Sequence, residues 1–599
     1  MTPIVTLPSS SSLTARTVLV STIVVALVLP LAVFAKTPVA TGTGGAVATI
    51  SEPASKAALA ILNRGGNAID AAVAAAATLG VTDPFSCGIG GGGFMVIYLA
   101  RDKRVITIDH RETAPASFTP TVFHENGHEI RFESVLASGM SVGVPGTVRG
   151  WHEALQRYGS MSFRQVLAPA IAVAVNGFKI NQNFVHLIEG NEAKFALFPA
   201  TAALYLKDGK ALPAGATLRN LDLARAYRAL AAGGVKVFYE GAMARAIVDA
   251  VNHPAVAAGM QVRAGQMTLA DLSSYEARLR QPVRSTYRGY DLYGMPLPSS
   301  GGVAVAEALN ILEGYDLASM PKEQAEHLYL EASRLAFADR NAYLADPEYI
   351  DVPLAGMLSK EYAARRRALI TPGQASAPAP APAGDPYPFQ NDASVPLRPV
   401  RPVATKLLTE GAHTTHLTVS DKEGNIVAYT FTIESWGGSG MVVPGYGFLL
   451  NNEMTDFDFS GPHPNVPEAG KRPRSSMAPT LAFKNGKPAF SIGSPGGATI
   501  ITTVLQTIVN HVDLGMTMEN AVNAPRLSQR NGATTDVEAG FAGSAQAKAL
   551  ENSGQRWSAQ AEEIGAANAL VFNADGSVTA VSEGHRHGVG SALVQKLAH

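Results

Sequence analysis

Residues 411–425 read GAHTTHLTVSDKEGN. Thr414 and Thr415 head the run THLTVSD, which turns at Glu423-Gly424-Asn425 and returns as IVAYTFTI from Ile426 to Ile433. This pattern predicts a strand pair with one buried face. Threonine favours a strand start for conformational reasons alone. The same residues have a chemical reading: a threonine made N-terminal by chain cleavage carries a hydroxyl and an α-amine together. Such an amine titrates near about 7.7–8.0, so part of it is neutral at working pH and can take the hydroxyl proton directly or through water. These residues by themselves leave both readings open.

Upstream, residues 372–402 hold nine prolines and read as an extended, loosely held linker. Gln324 to Leu344 is strongly helical in pattern. Ala57 to Leu79 reads as two helical pieces broken at Gly65-Gly66-Asn67, the second so rich in alanine that it must pack closely. A glycine cluster and the buried-strand run FMVIYLA (94–100) follow it. The chain thus reads as helix-rich before the linker, with a sheet beginning after it, and predicts an α/β layered protein.

Composition narrows the function. The 599 residues are 46% hydrophobic and 16% charged, enough for a large core, and 48 Lys+Arg against 49 Asp+Glu leave a net charge of -1. That balance lacks the basic footprint of a nucleic-acid binder. One cysteine excludes a disulfide framework and a thiolate zinc site. Arg16, the uncharged run Thr17–Ala35 and Lys36 read as an export signal, with an uncleaved membrane anchor as the rival. Either address puts the body outside the cytoplasm.

Three motif matches fail on context. Gly88–Gly93 fits G-x-G-x-x-G, but the order here is helix, glycines, strand, the reverse of a dinucleotide site. His124–His128 fits H-E-x-x-H, yet Asn126-Gly127 at its centre signals a surface hairpin. Gly139–Gly143 fits G-x-S-x-G, but Val144-Pro145-Gly146 interrupts the helix that a nucleophile elbow requires. Cys87 is most simply a small buried residue.

Eight separated blocks, in order, do carry a signal: GGNAIDAAVAAAATLGVTDP, IDHRETAPA, SVGVPGTVRG, MPLPSSGG, TTHLTVSDKEGN, LLNNEMTDF, KRPRSSMAPT and GSPGGATI. Through them, nearly all of residues 45–595 resembles the γ-glutamyltranspeptidase (glutathione hydrolase) family of N-terminal-nucleophile hydrolases. The resemblance implies a four-layer αββα sandwich. It implies a precursor that cuts itself between His413 and Thr414, giving a heavy chain (36–413, with the proline-rich tail) and a light chain (414–599) that form a heterodimer. Glutathione and other γ-glutamyl compounds are the implied donors, water, amino acids or peptides the acceptors, and no metal or cofactor is implied.

Carried over by position, Thr414 is the nucleophile and Thr432 its orienting partner. Gly496 and Gly497 match the oxyanion-hole donors, where glycine lets the backbone approach a developing negative charge. A γ-glutamyl donor ends in one carboxylate and one ammonium. Arg111 matches the carboxylate clamp, a role suited to a planar fork, and Ser475 and Ser476 match its hydroxyl partners. Asp456 matches the ammonium acceptor, with Glu453 and Glu434 beside it.

Departures from the family pattern are informative. Glu434 and Glu453 replace the Asn and Gln of some members, and crowding among these acids favours keeping one protonated. The stretch between Asp456 and Arg472 is short, which predicts a pocket without a lid. Trp436, in Ser435-Trp436-Gly437-Gly438, bears on the acceptor side. Relatives acting on glutaryl side chains of cephalosporins have no ammonium to bind, so the acids favour a γ-glutamyl donor. Action on poly-γ-glutamate, found in some relatives, and a binding protein that keeps the fold without the chemistry are the two competing functions.

Overall fold

The computed structural model describes residues 38–376, 380–390, 413–559, 563–586 and 590–596; the leader read at 1–35 lies outside them. In chain order the strands of its two large sheets are β1 (Val39–Gly42), β2 (Ala46–Thr49), β3 (Gly92–Leu99), β4 (Arg104–Asp109), β5 (Arg278–Arg280), β6 (Val283–Tyr287) and β7 (Tyr290–Gly294). Then come β8 (Thr415–Ser420), β9 (Ile426–Thr432), β10 (Thr480–Lys484), β11 (Lys487–Gly493), β12 (Asn568–Phe572), β13 (Val578–Ser582) and β14 (Ser591–Val594). One sheet has the order β1-β13-β12-β11-β10-β7-β6, the other β5-β4-β3-β9-β8-β2-β14.

The β8–β9 hairpin is the one read from the sequence. Its turn is closed by Asp421, which accepts from the Asn425 N–H at 2.9 Å, while its other oxygen accepts from Ala68 N at 2.9 Å. The turn is thereby tied to the start of a helix, where a carboxylate also meets the positive end of the helix dipole.

Strand alternation separates two cores. On β3, Met95, Ile97 and Leu99 pack with the helices α1 (Glu52–Asn63) and α2 (Ala68–Thr82). The intervening Phe94, Val96 and Tyr98 join Leu481, Phe483 and Phe490 of the other sheet. That second core extends to α3 (Gly301–Leu312), α4 (Lys322–Tyr343) and α5 (Thr499–Val512). The result is helix, sheet, sheet, helix.

The alanine run behaves as its composition demands. Asn67 caps α2 through Ile69 and Asp70 N–H groups, Asp70 returns the bond to Asn67 N, and Ala71 to Ala77 are buried throughout. Such a cap contributes about 1 kcal/mol; the methyl-sized face lets α1, α2 and the sheet approach closely.

Two sequence expectations need correction. Sheet formation does not begin after the proline-rich tract: each sheet interleaves strands from both sides of it. Pairing between distant segments leaves no compositional trace in either. Nor is the described part of the tract loose. Gly384 N donates to Asp339 Oδ1 at 2.7 Å, Tyr343 OH to Gly384 O at 2.6 Å, and Arg366 to Pro382 O at 3.1 Å. Polar side chains of neighbouring helices satisfy a backbone that has no sheet partner.

The rejected motifs fall where context placed them. His124–Glu125 and His128–Glu129 form a two-stranded hairpin around Asn126 and Gly127, both left-handed. Ser141 is buried, its hydroxyl donating to Ser138 O and Leu136 O. Among the described residues no helix is long and apolar enough to cross a membrane.

Candidate active site

Strand parity brings the two threonines together. Thr418 on β8 bonds Ser491 of the facing sheet, so the even-numbered positions of this strand look into the space between sheets. Thr414 lies on that parity, and Thr415 pairs with Phe431, which sets Thr432 beside it. Their hydroxyl oxygens lie 3.3 Å apart. Thr432 Oγ donates to the His413 carbonyl oxygen at 3.1 Å, and Thr414 Oγ reaches the same carbonyl. Thr432 Oγ accepts in turn from Glu434 N at 2.9 Å, for which Glu434 adopts a left-handed φ of 77°.

The glycine cluster that resembled a dinucleotide motif has a packing purpose here. A Cβ on Gly91 would stand 1.9 Å from Thr432 O, and one on Gly90 2.0 Å from Leu449 O. Only bare backbone lets β3 run this close to the strand end carrying Thr432.

On the facing sheet, β11 leads through Gly496 and Gly497 into α5. Both glycines have positive φ, 131° and 55°, and neither N–H donates a hydrogen bond among the described residues. Gly497 and Ile500 line the cavity in front of Thr414, so the positive end of a fourteen-residue helix faces it.

That cavity gathers every residue read as catalytic, donor-binding or at the cleavage point except Gly496, which adjoins Gly497; Trp436, read on the acceptor side, does not line it. Its volume is about 20 Å³, room for roughly one water. His413 occupies one wall, its ring against that of Trp436 with centroids 3.8 Å apart and planes tilted by 33°. Half-buried Lys194 holds the Trp436 loop through the carbonyls of Trp436 and Gly438, and desolvation lowers its pKa to about 8 despite the nearby Glu434. No residue between 457 and 471 lines the cavity; Phe459 of that stretch stacks on Phe123 instead.

The charged residues sit closer together than the sequence reading placed them. Arg111 is 1% exposed and pairs directly with both Glu453 and Asp456. Its Nε and Nη2 also donate to the carbonyls of Pro473 and Arg474 at 3.2 and 3.1 Å. Burial opposes its charge, but Glu453, Asp456 and Glu112 outweigh that and hold it protonated. Burial pushes Glu453 well above the usual carboxylate range against the pull of Arg111, with Glu112, Asp456 and Glu434 adding to the rise.

Two residues of this region escaped the sequence reading. Glu112 is fully buried beside Glu453, and burial lifts its pKa to about 8 against the pull of Arg111. Its position next to Arg111 was the only available signal. Arg340, on α4, donates to Ser476 Oγ at 2.6 Å; nothing local marks it.

A four-layer αββα sandwich with a threonine heading a central strand, and free glycine N–H groups opposite, defines an N-terminal-nucleophile hydrolase. The Gamma-glutamyltranspeptidase family profile matches residues 54–593, and the chain belongs to that family. It is 38% identical over 551 residues to the glutathione hydrolase proenzyme of Bacillus subtilis (strain 168), covering 91% of each chain. It is also 38% identical over 551 residues to the acylase ACY 1 proenzyme of Pseudomonas sp. (strain V22), covering 90% of this chain and 92% of that one. The cephalosporin acylase structure from Bacillus halodurans superposes with a TM-score of 0.81 at 26% identity, over 94% of this chain and 98% of that one.

Proposed function

We propose that this chain is an exported precursor that cuts itself between His413 and Thr414 and then acts as a γ-glutamyltransferase and glutathione hydrolase. The observation that carries the reading is the convergence of Thr414, Thr432 and the His413 carbonyl beside a cavity holding Arg111, Glu453 and Asp456. Thr414 Oγ attacks the His413 carbonyl carbon, and Thr432, donating to its oxygen, stabilises the charge that develops there. The Thr414 hydroxyl proton passes to the peptide nitrogen, which leaves as the amine of Thr414, and water hydrolyses the ester, freeing the His413 carboxylate and restoring the Thr414 hydroxyl. The heavy chain (36–413) and light chain (414–599) stay together as a heterodimer, because strands from both build each sheet.

In turnover, the new amine takes the Thr414 hydroxyl proton as Oγ attacks the γ-amide carbonyl of glutathione. Gly496 and Gly497 N–H groups receive the oxyanion, assisted by the α5 dipole. Cysteinylglycine departs with the proton, leaving a γ-glutamyl ester. Water then releases glutamate, or an acceptor amino acid or peptide yields a new γ-glutamyl compound. Arg111, Ser475 and Ser476 hold the donor's α-carboxylate; Asp456, Glu453 and Glu434 hold its ammonium.

The acids separate this reading from a glutaryl acylase. Comparing γ-glutamyl-p-nitroanilide with glutaryl-p-nitroanilide, which lacks the ammonium, tests it. We expect kcat/KM to favour the γ-glutamyl donor at least about 100-fold, as for a lost charged hydrogen bond; equal or reversed preference would overturn the assignment.

A further inference from the structure

The carboxylate side of the cavity rests on a second buried guanidinium. Arg340 lies in the last turn of α4 and is 2% exposed. Its Nε donates to Ser300 Oγ at 2.8 Å, its Nη1 to Asn341 Oδ1 at 2.9 Å and its Nη2 to Ser476 Oγ at 2.6 Å. Ser300 Oγ passes its own hydrogen to Ser475 O at 2.6 Å, and Ser300 N donates to that same oxygen at 2.8 Å. Ser475 N is held in turn by Pro298 O at 3.0 Å.

Hydrogen-bond directions follow from the donor inventory. A guanidinium offers only N–H donors and has no acceptor, whereas a serine hydroxyl can act either way by rotating. Arg340 therefore occupies a lone pair on each serine. Ser300 is left to donate to the Ser475 carbonyl, which pins the backbone of the serine pair. Ser476 keeps its hydrogen for an acceptor other than the arginine, and Ser476 lines the cavity while Arg340 does not.

We propose that Arg340 is a positioning residue for recognition of the donor's α-carboxylate: it orients the Ser476 hydroxyl as a donor and, through Ser300, fixes Ser475. The proposal rests on the donor-site reading above and assigns the selectivity for a carboxylate to a residue 136 positions away from Ser476 in the chain. A purely structural arginine, clamping α4 to residues 475–477, would affect all donors alike.

The test compares γ-glutamyl-p-nitroanilide with 4-aminobutyryl-p-nitroanilide, which keeps the amine and lacks the α-carboxylate, on purified and fully cut protein. For Arg340→Met the expected result is a KM for the γ-glutamyl donor raised about 10-fold or more with kcat nearly unchanged, since binding common to ground and transition states is lost. The 4-aminobutyryl donor should change by less than about 2-fold, and Arg340→Lys should recover part of the loss because an ammonium can still donate to Ser476. Should Arg340→Met fail to mature, Ser300→Ala removes the relay to Ser475 alone, and the same selective loss is expected, to a smaller degree. Equal losses on both donors, or none on either, would overturn the proposal. Arg111→Lys serves as reference: if it discriminates between the donors and the Arg340 and Ser300 variants do not, only the role of Arg340 falls. If Arg111→Lys does not discriminate either, the reading of the carboxylate site falls with it.

Discussion

Thr432 Oγ lies 3.1 Å from the His413 carbonyl oxygen and 3.3 Å from Thr414 Oγ, so one hydroxyl touches both the bond to be cut and the group that cuts it. Its hydrogen goes to the carbonyl, which can only accept, while its oxygen accepts from Glu434 N. Thr432→Ala should therefore slow self-cleavage by about 100-fold or more, the usual effect of deleting an oxyanion donor. Thr432→Ser should keep most of the rate. The measurement is the decay of the full-length band with time; unchanged kinetics in the alanine variant would remove Thr432 from the cutting step.

Arg111 faces acids on one side and backbone carbonyls on the other, a setting that suits a fork and not a point charge. Arg111→Lys should raise KM for a γ-glutamyl donor at least about 10-fold while altering kcat much less. A fall in kcat at constant KM would contradict its placement at the carboxylate.

Glu112 gives a pH signature with a defined sign. It ionises near its ordinary 4.5 when unfolded and near about 8 when buried, so the folded chain holds the extra proton between those values. The stability it contributes is present below 4.5 and is lost as pH rises through about 8. His110 and His416, pushed down to about 3 by burial, act in the opposite sense below their ordinary 6.5. Subtracting a Glu112→Gln variant isolates the carboxyl: wild-type stability relative to the variant should fall with pH by up to about 1.4 kcal/mol per unit. Urea titrations across this range check it, and parallel profiles would contradict a buried neutral acid.

Gly91→Ala would place a methyl 1.9 Å from Thr432 O, a clash with backbone that no side-chain rotation relieves. The expected cost is about 2 kcal/mol or more, together with impaired cutting because the strand end carrying Thr432 must shift. Gly190→Ala, which meets nothing closer than 3.6 Å, is the control. Equal stability and equal maturation of the two variants would count against a close-packing purpose for Gly91.

What could be read in advance followed local rules. The β8–β9 hairpin, the Asn126-Gly127 turn and the buried alanine helix each follow from residues within one turn or one strand, and all appear in the structure. The resemblance collected Arg111, Thr414, Glu453 and Ser476 from four separate blocks, and they line one cavity. Long-range pairing was less accessible. Arg340 looks like one more polar position on a helix until α4 is laid against Ser300 and Ser476. The proline-rich stretch looks unanchored until Asp339, Tyr343 and Arg366 are placed beside residues 382–384. Pairing of Arg111 with Glu453 and Asp456 likewise depends on burial, where charges without substrate are stabilised by one another.

The central claim is that the working nucleophile is created by breaking the chain before Thr414. Intact-mass measurement with N-terminal sequencing of purified, active protein addresses it most directly. The account predicts two tightly associated polypeptides, the smaller beginning at Thr414, and a Thr414→Ala variant that stays in one piece and turns over no γ-glutamyl donor. A single uncut polypeptide with full activity would contradict it.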